Sequence, residues 1–244
     1  MKNFKMTIQY DGTNYHGWQI QPDGRTIQGE LTRVLSMLDH RRVTVHGAGR
    51  TDAGVHAEGQ VANFFLQREF EPRALQDAIN GNLDWDIRVL EVEQVADSFN
   101  ARLSARLKIY RYQIWTASVV SPFLHRYVYH YRGRLDVDEM RRAATALVGS
   151  HDFSAFTVTH TEIEDRVRTL TRLDVGQRED RLTLEAEANG FLRYMVRTIA
   201  GTLIEVGRGR REASSIPEIL RSRDRANAGP TAPAAGLTLV RVGY

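Results

Sequence analysis

The chain reads as an α+β protein: two ferredoxin-like (RRM-like) βαββαβ halves, joined in a largely antiparallel mixed sheet. Helices are expected on one face. Three observations predict this. Short stretches with alternating apolar residues recur through all 244 residues, the mark of half-buried strands. Segments with apolar residues at helical spacing interrupt them. The order strand, helix, strand, strand, helix, strand occurs once within 1–103 and again within 104–244.

In the first half, Phe4, Met6, Ile8 and Tyr10 alternate as a strand. Thr26 is placed to cap a helix whose one face carries Ile27, Leu31, Val34, Leu35 and Leu38. Val43 to Val45 and Val61 to Leu66 read as strands. Pro72 suits the first turn of a helix bearing Leu75, Ala78 and Ile79. Ile87 to Val95 is a further strand.

The second half begins with a strand, Leu107 to Trp115, and an extra one in which Tyr127, Tyr129 and Tyr131 alternate. Asp136 opens a helix through Met140, Ala144, Leu147 and Val148, with Glu139 placed as in a capping box. Leu170 to Val175 and Leu182 to Ala186 are strands. Apolar pairs from Phe191/Leu192 to Leu203/Ile204 predict a helix. A short helix at Ile216 to Leu220 and a strand at Leu237 to Val242 follow. The halves meet near Ser98 to Ala105, with no long Pro, Gly or Ser linker.

Composition narrows the function. Hydrophobic residues are 42% and charged residues 26%, the balance of a water-soluble protein. No apolar run nears the roughly 18 residues of a membrane helix, and the first residues lack the apolar core of a signal peptide. A cytoplasmic protein is expected, with no membrane partner. With no cysteine there is no thiolate chemistry. The net charge is +3, but the 33 basic residues are almost all arginine. Guanidinium suits phosphates and stacked bases, and a GC-rich genome gives the same bias. Arg208, Arg210 and Arg211, then Arg221, Arg223 and Arg225, form local clusters.

The most informative stretch is the loop from Gly47 to Gly59, with Arg50 and Asp52 among four glycines. Such loops carry chemistry when a rigid scaffold presents them. A carboxylate there serves as nucleophile or base; Asp beside Gly is also a common turn residue. Two dinucleotide-like patterns, Gly47-Ala48-Gly49 and Gly207-Arg208-Gly209, lack the third glycine, and no Walker-type Gly-Lys-Ser/Thr occurs. No nucleotide cofactor is expected. The histidines His16, His40, His46, His56, His125, His130, His151 and His160 form no metal-ligand pattern.

Tyr110 and Tyr112 share one face of their strand, either as core packing or as a platform for a base. Arg193 and Arg197 stand one turn apart in the most apolar helix, either as snorkelling rim residues or with Arg197 paired to a buried carboxylate, for which Asp52 is the candidate.

Gly49-Arg50-Thr51-Asp52-Ala53-Gly54-Val55-His56-Ala57 resembles the catalytic motif of the TruA family of tRNA pseudouridine synthases. Further blocks in the same order are similar to that family: Tyr10-Asp11-Gly12-Thr13, Gly17-Trp18-Gln19, Thr26-Ile27-Gln28-Gly29, Phe99-Asn100-Ala101-Arg102 and Tyr110-Arg111-Tyr112. Gly149-Ser150-His151-Asp152-Phe153, Phe191 to Arg197, Ala228 to Pro233 and Gly236-Leu237 complete them. Asn100 and Ala235 stand where histidine is frequent, and Thr238 replaces a usual aromatic.

The resemblance implies isomerisation of uridine to pseudouridine at positions 38, 39 and 40 of the tRNA anticodon stem-loop, in a catalytic cleft between the halves, by a homodimer, with no cofactor and no metal. Asp52 would be the essential nucleophile at the sugar or base at the ribose. Tyr110 would stack on the base and assist at its C5 proton. Arg197 would orient Asp52 and hold its charge. Leu237 would form an apolar wall, and Arg50 would hold or replace the extruded nucleotide. Two other readings compete. An RRM-like binder would need RNP motifs that the strands lack. A glycosidase-like hydrolase would need a second acid, for which the loop offers only Glu58.

Overall fold

The computed structural model describes residues 1–159 and 164–244; of the eight histidines, His160 lies outside them. Ten strands and five α-helices appear among the described residues, an α+β fold. The chain divides into two compact units, Met1–Arg106 with Leu239–Tyr244, and Leu107–Thr238.

In the first unit, β1 (Lys2–Tyr10) lies between β3 (His56–Leu66) and β4 (Ile87–Val95), antiparallel to both. Phe4, Met6, Ile8 and Tyr10 of β1 are buried on one face. The interposed residues are largely half-buried, as the alternation predicts. β2 is only His46–Gly47, paired with Ala62 and Asn63 of β3. The strand expected at Val43 to Val45 is thus corrected. Both valines are buried, but there the Val43 amide bonds the Ser36 hydroxyl at 2.9 Å instead of a neighbouring strand.

Helix α1 (Ile27–Asp39) starts where Thr26 predicts, its side chain accepting the Gly29 amide at 3.2 Å. It ends at His40 in the left-handed conformation. Helix α2 (Pro72–Gly81) has Pro72 in its first turn and Glu71 as its cap.

In the second unit, β5 (Leu107–Trp115), β9 (Arg181–Ala188), β8 (Val167–Arg178) and β7 (Gly149–Asp152) follow one another across the sheet, antiparallel. β7 was not foreseen. The extra tyrosine strand reduces to β6 (Tyr129–His130), which pairs parallel with Ile114 and Trp115 of β5.

Helix α3 (Val137–Thr145) is capped by Asp136, whose carboxylate accepts the amides of Asp138 and Glu139. Helix α4 (Met195–Gly207) buries eleven of its thirteen residues, which accounts for its apolarity on all sides. It begins at Met195 and not at Phe191: Tyr194 sits at φ 61°, outside the right-handed helix region. Arg193 is therefore not on the helix, while Arg197 lies in its first turn. Helix α5 (Ile216–Ser222) follows. β10 (Leu237–Gly243) ends the chain, its residues from Leu239 belonging to the first unit.

Candidate active site

The loop around Asp52 is fixed from both sides. Before it, the Ala48 amide donates to the Val61 carbonyl at 2.7 Å. The buried Gln60 amide nitrogen donates to the Gly49 carbonyl at 2.9 Å and approaches the Tyr10 hydroxyl at 3.4 Å. That hydroxyl bonds the Thr51 hydroxyl at 2.8 Å, and the Thr51 carbonyl accepts the Trp18 amide at 3.0 Å. Burial pushes the Tyr10 phenol up to about 12, partly offset by its bonds to Thr51 and Gln60. It stays protonated and serves as a strut.

After Asp52 the chain turns. The Val55 amide donates to the Asp52 carbonyl at 3.1 Å, and the Gly54 amide to the Tyr15 carbonyl at 3.3 Å. Gly54 sits at φ +77°, where a side chain is disfavoured. The approach of Gly12 to this turn is closer still: a Cβ on Gly12 would lie 2.0 Å from the Val55 carbonyl oxygen.

His56, 3% exposed, accepts the Gly12 amide on Nδ1 at 3.1 Å. The same nitrogen lies 3.2 Å from an oxygen of Asp11. An amide pointing at Nδ1 requires a lone pair there, so the hydrogen bond fixes the tautomer and the Asp11 approach is no salt bridge at that nitrogen. The ring acts as an acceptor that ties Gly12 to the strand following the loop. Asp52 itself is half-buried. Arg50 is exposed, its Nε donating to the Gln19 side chain at 3.1 Å.

The second unit holds the other predicted residues. Tyr110 is buried on β5, opposite Ala186 of β9, its ring edge-on to Phe191 at 5.1 Å. Tyr112, two residues on, is fully buried and donates to the Pro233 carbonyl at 2.8 Å. Burial drives its phenol well above the ordinary value, with the nearby Arg197 charge acting against that rise. Tyr112 is therefore a neutral donor.

Arg197 is clamped to the loop before β10. Its Nε donates to the Ala232 carbonyl at 2.7 Å, and the Ala232 amide donates back to the Arg197 carbonyl at 3.0 Å. Its guanidinium lies 5.1 Å from the centre of the Tyr194 ring. Leu237, 5% exposed, opens β10 directly after this loop. The unit thus joins Tyr112 of β5, the α4 arginine and the approach to Leu237 through residues 232 and 233. Neither of these was singled out in the sequence except within the block Ala228 to Pro233. Likewise, Tyr10 and Gly12 stood in a block that resembled the family, but their support of the Asp52 loop had no local signal.

Among the described residues, no group of three or more His, Asp or Glu side chains is placed to hold a metal ion. None of their helices is long and apolar enough to cross a membrane.

A family described as tRNA pseudouridine synthase matches residues 6–103 and 143–244. The chain belongs to this family. The matched stretches include Arg50, Asp52, Arg197 and Leu237, while Tyr110 falls between them. A tRNA pseudouridine synthase A of Geobacillus sp. (strain WCH70) is 44% identical over 244 residues, spanning 100% of this chain and 98% of its own. The enzyme of the same name from Brevibacillus brevis is 44% identical over 244 residues, 100% of both. Among solved structures, the crystal structure of a Cbf5-Nop10-Gar1 complex covers 97% of this chain and 57% of its own. Its identity is 12% and its TM-score 0.36, too slight a likeness to bear on function. This member of the synthase family is an enzyme of the isomerase class, in keeping with the relatives' names.

Proposed function

We propose that this synthase isomerises uridine to pseudouridine at positions 38, 39 and 40 in the anticodon stem-loop of tRNA, as a cytoplasmic homodimer. The setting of Asp52 carries this reading: a half-buried carboxylate on a turn whose flanking backbone is bonded on both sides. Such rigidity suits a group that must meet one sugar atom in one geometry.

In the reaction the C1′–N1 bond breaks and a C1′–C5 bond forms. C5 gives up its proton and N1 gains one, so the composition of the nucleoside is unchanged. Asp52 acts as nucleophile at C1′ or as base at the ribose. Arg197 is assigned the part of orienting that carboxyl, as a cation that favours the charged form wherever it meets one. Tyr110 stacks on the uracil and assists proton transfer at C5, while Leu237 shields it from water. Arg50 holds the extruded nucleotide or fills the space it leaves. Flipping the nucleotide costs a few kcal/mol, which phosphate contacts offset. In the unit that carries Asp52, β4, β1 and β3 lie side by side with β2 on β3, an order that supports the ferredoxin-like reading of this half.

The test is pseudouridine mapping by mass labelling in tRNA treated with pure protein. Asp52→Ala is expected to lower formation more than about 1,000-fold while tRNA binding survives. Turnover by the variant at the parental rate refutes the assignment.

A further inference from the structure

Strand β5 does not turn straight back at Trp115. Residues 116–128 leave it and return beside it at β6. The base of this excursion is closed. The Tyr131 amide donates to the Trp115 carbonyl at 2.9 Å, and His130 Nε2 lies 2.8 Å from the Ala117 carbonyl. The Trp115 indole donates to the Val119 carbonyl at 2.8 Å. This is a compact surface loop with its ends together.

Its tip is ordered as well. The Leu124 and His125 amides donate to the Ser121 carbonyl at 2.9 and 3.0 Å. The Phe123 amide donates to the Ser121 hydroxyl oxygen at 3.2 Å. On this fixed backbone Phe123 is 87% exposed and Val119 75% exposed. An aromatic side chain on a backbone already bonded in place has less ordering entropy to lose on binding than one on a loose segment.

Charge indicates the partner. From residue 116 to 135 the chain has three basic residues, Arg126, Arg132 and Arg134, and no Asp or Glu. Arg126 and Arg132 are exposed at the loop and its return. At its base the Arg208 guanidinium lies 5.6 Å from the centre of the Tyr131 ring. Acids stand near this end too: the Asp180 carbonyl accepts the Thr116 amide, and Asp180 lines a cavity together with Arg134. A symmetric contact between two copies would set these cations against their own equivalents, which is unfavourable. A polyanion meets no such penalty. An aromatic ring among guanidinium groups matches the stacking-and-phosphate mode by which proteins hold unpaired RNA.

We infer that the loop 116–128 is a second RNA-contact element, with Phe123 stacking on an unpaired base of the substrate tRNA and Arg126 and Arg132 meeting its phosphates. This rests on the function proposed above. The base is not the reacting uridine: Trp115 lies about 16 Å along β5 from Tyr110, at roughly 3.3 Å per residue.

The experiment measures binding of an unmodified tRNA transcript to the full chain by filter retention at several salt concentrations. Phe123→Ala is expected to raise Kd roughly tenfold, and Phe123→Trp to restore it. Arg132→Gln is expected to lower the slope of log K against log salt by roughly 0.7 to 0.9. Unchanged Kd in Phe123→Ala overturns the inference. So does a shift of that variant toward single chains in sedimentation, which would assign the loop to self-association. Binding is read without turnover, so absence of pseudouridine would defeat the proposed function and leave this measurement standing.

Discussion

Asp152 shows how one side chain couples a turn to pH. Burial raises its carboxyl, but the hydrogen bonds from the Ser154 hydroxyl and amide, with the charges of Arg223 and Arg166, outweigh it and hold the group below its ordinary value. The Ser154 amide donates to it at 2.9 Å, and Arg223 Nε lies 3.0 Å away. Arg223 is 69% exposed, so solvent screens that pair and the Ser154 bonds matter more. A depressed carboxylate stabilises the fold above its unfolded value near ~3.9, and that contribution is lost as pH falls through the lower folded value. Asp152→Asn is expected to cost roughly 1 kcal/mol at neutral pH, with the two proteins converging in strong acid. Urea denaturation across pH checks this; a gap that persists in acid counts against it. The sequence exposed Asp152 as part of a block but not what it holds, because its partner Arg223 lies far along the chain.

At the scale of elements, α4 and the loop before β10 act as one piece. A Cβ on Gly201 would stand 1.7 Å from the Pro230 carbonyl oxygen, and one on Gly229 would stand 2.7 Å from Thr202 Cα. The Gly229 amide donates to the Thr202 hydroxyl oxygen at 2.9 Å, which itself donates to the Thr198 carbonyl at 2.8 Å. Backbone meets backbone here, so no side chain can move aside. Gly201→Ala is expected to destabilise by about 2–3 kcal/mol and to loosen Arg197 from Ala232. Gly81→Ala, at the end of α2 with nothing within 4 Å, is the control and is expected to be neutral or slightly stabilising. Thermal unfolding of the two variants compares them; equal midpoints would deny the close approach. The apolar pairs revealed this helix, yet they placed its start four residues early. Periodicity records which residues are apolar, not the left-handed Tyr194 that blocks the first turn.

At the scale of the molecule, the last residues complete the first unit. Leu239 is fully buried and Val242 nearly so. The Arg106 amide donates to the Gly243 carbonyl at 2.9 Å, and the Tyr244 hydroxyl donates to the Ala101 carbonyl at 2.9 Å. Its ring packs on Phe99 at 5.0 Å. Truncation after Thr238 removes two buried side chains at roughly 1.5–3 kcal/mol each. It is therefore expected to lower the unfolding midpoint and raise amide exchange in β3. Exchange in β3 equal to that of the full chain would show that the strand is dispensable.

The sequence by itself determined the α+β class, the limits of β4 and β5, the caps at Thr26 and Asp136, and the family through its ordered motifs. These rest on contacts between near neighbours, which leave periods and cap residues in the text of the chain. The tertiary structure alone decided that the pairing strand is His46–Gly47 and not Val43 to Val45, that β6 runs parallel to β5, that the final strand returns to the first unit and that Ala232 clamps Arg197. Each of these is a backbone pairing between distant segments. A main-chain amide or carbonyl has the same chemistry in every residue but proline, so its distant partner is chosen by packing and not by the identity of its side chain.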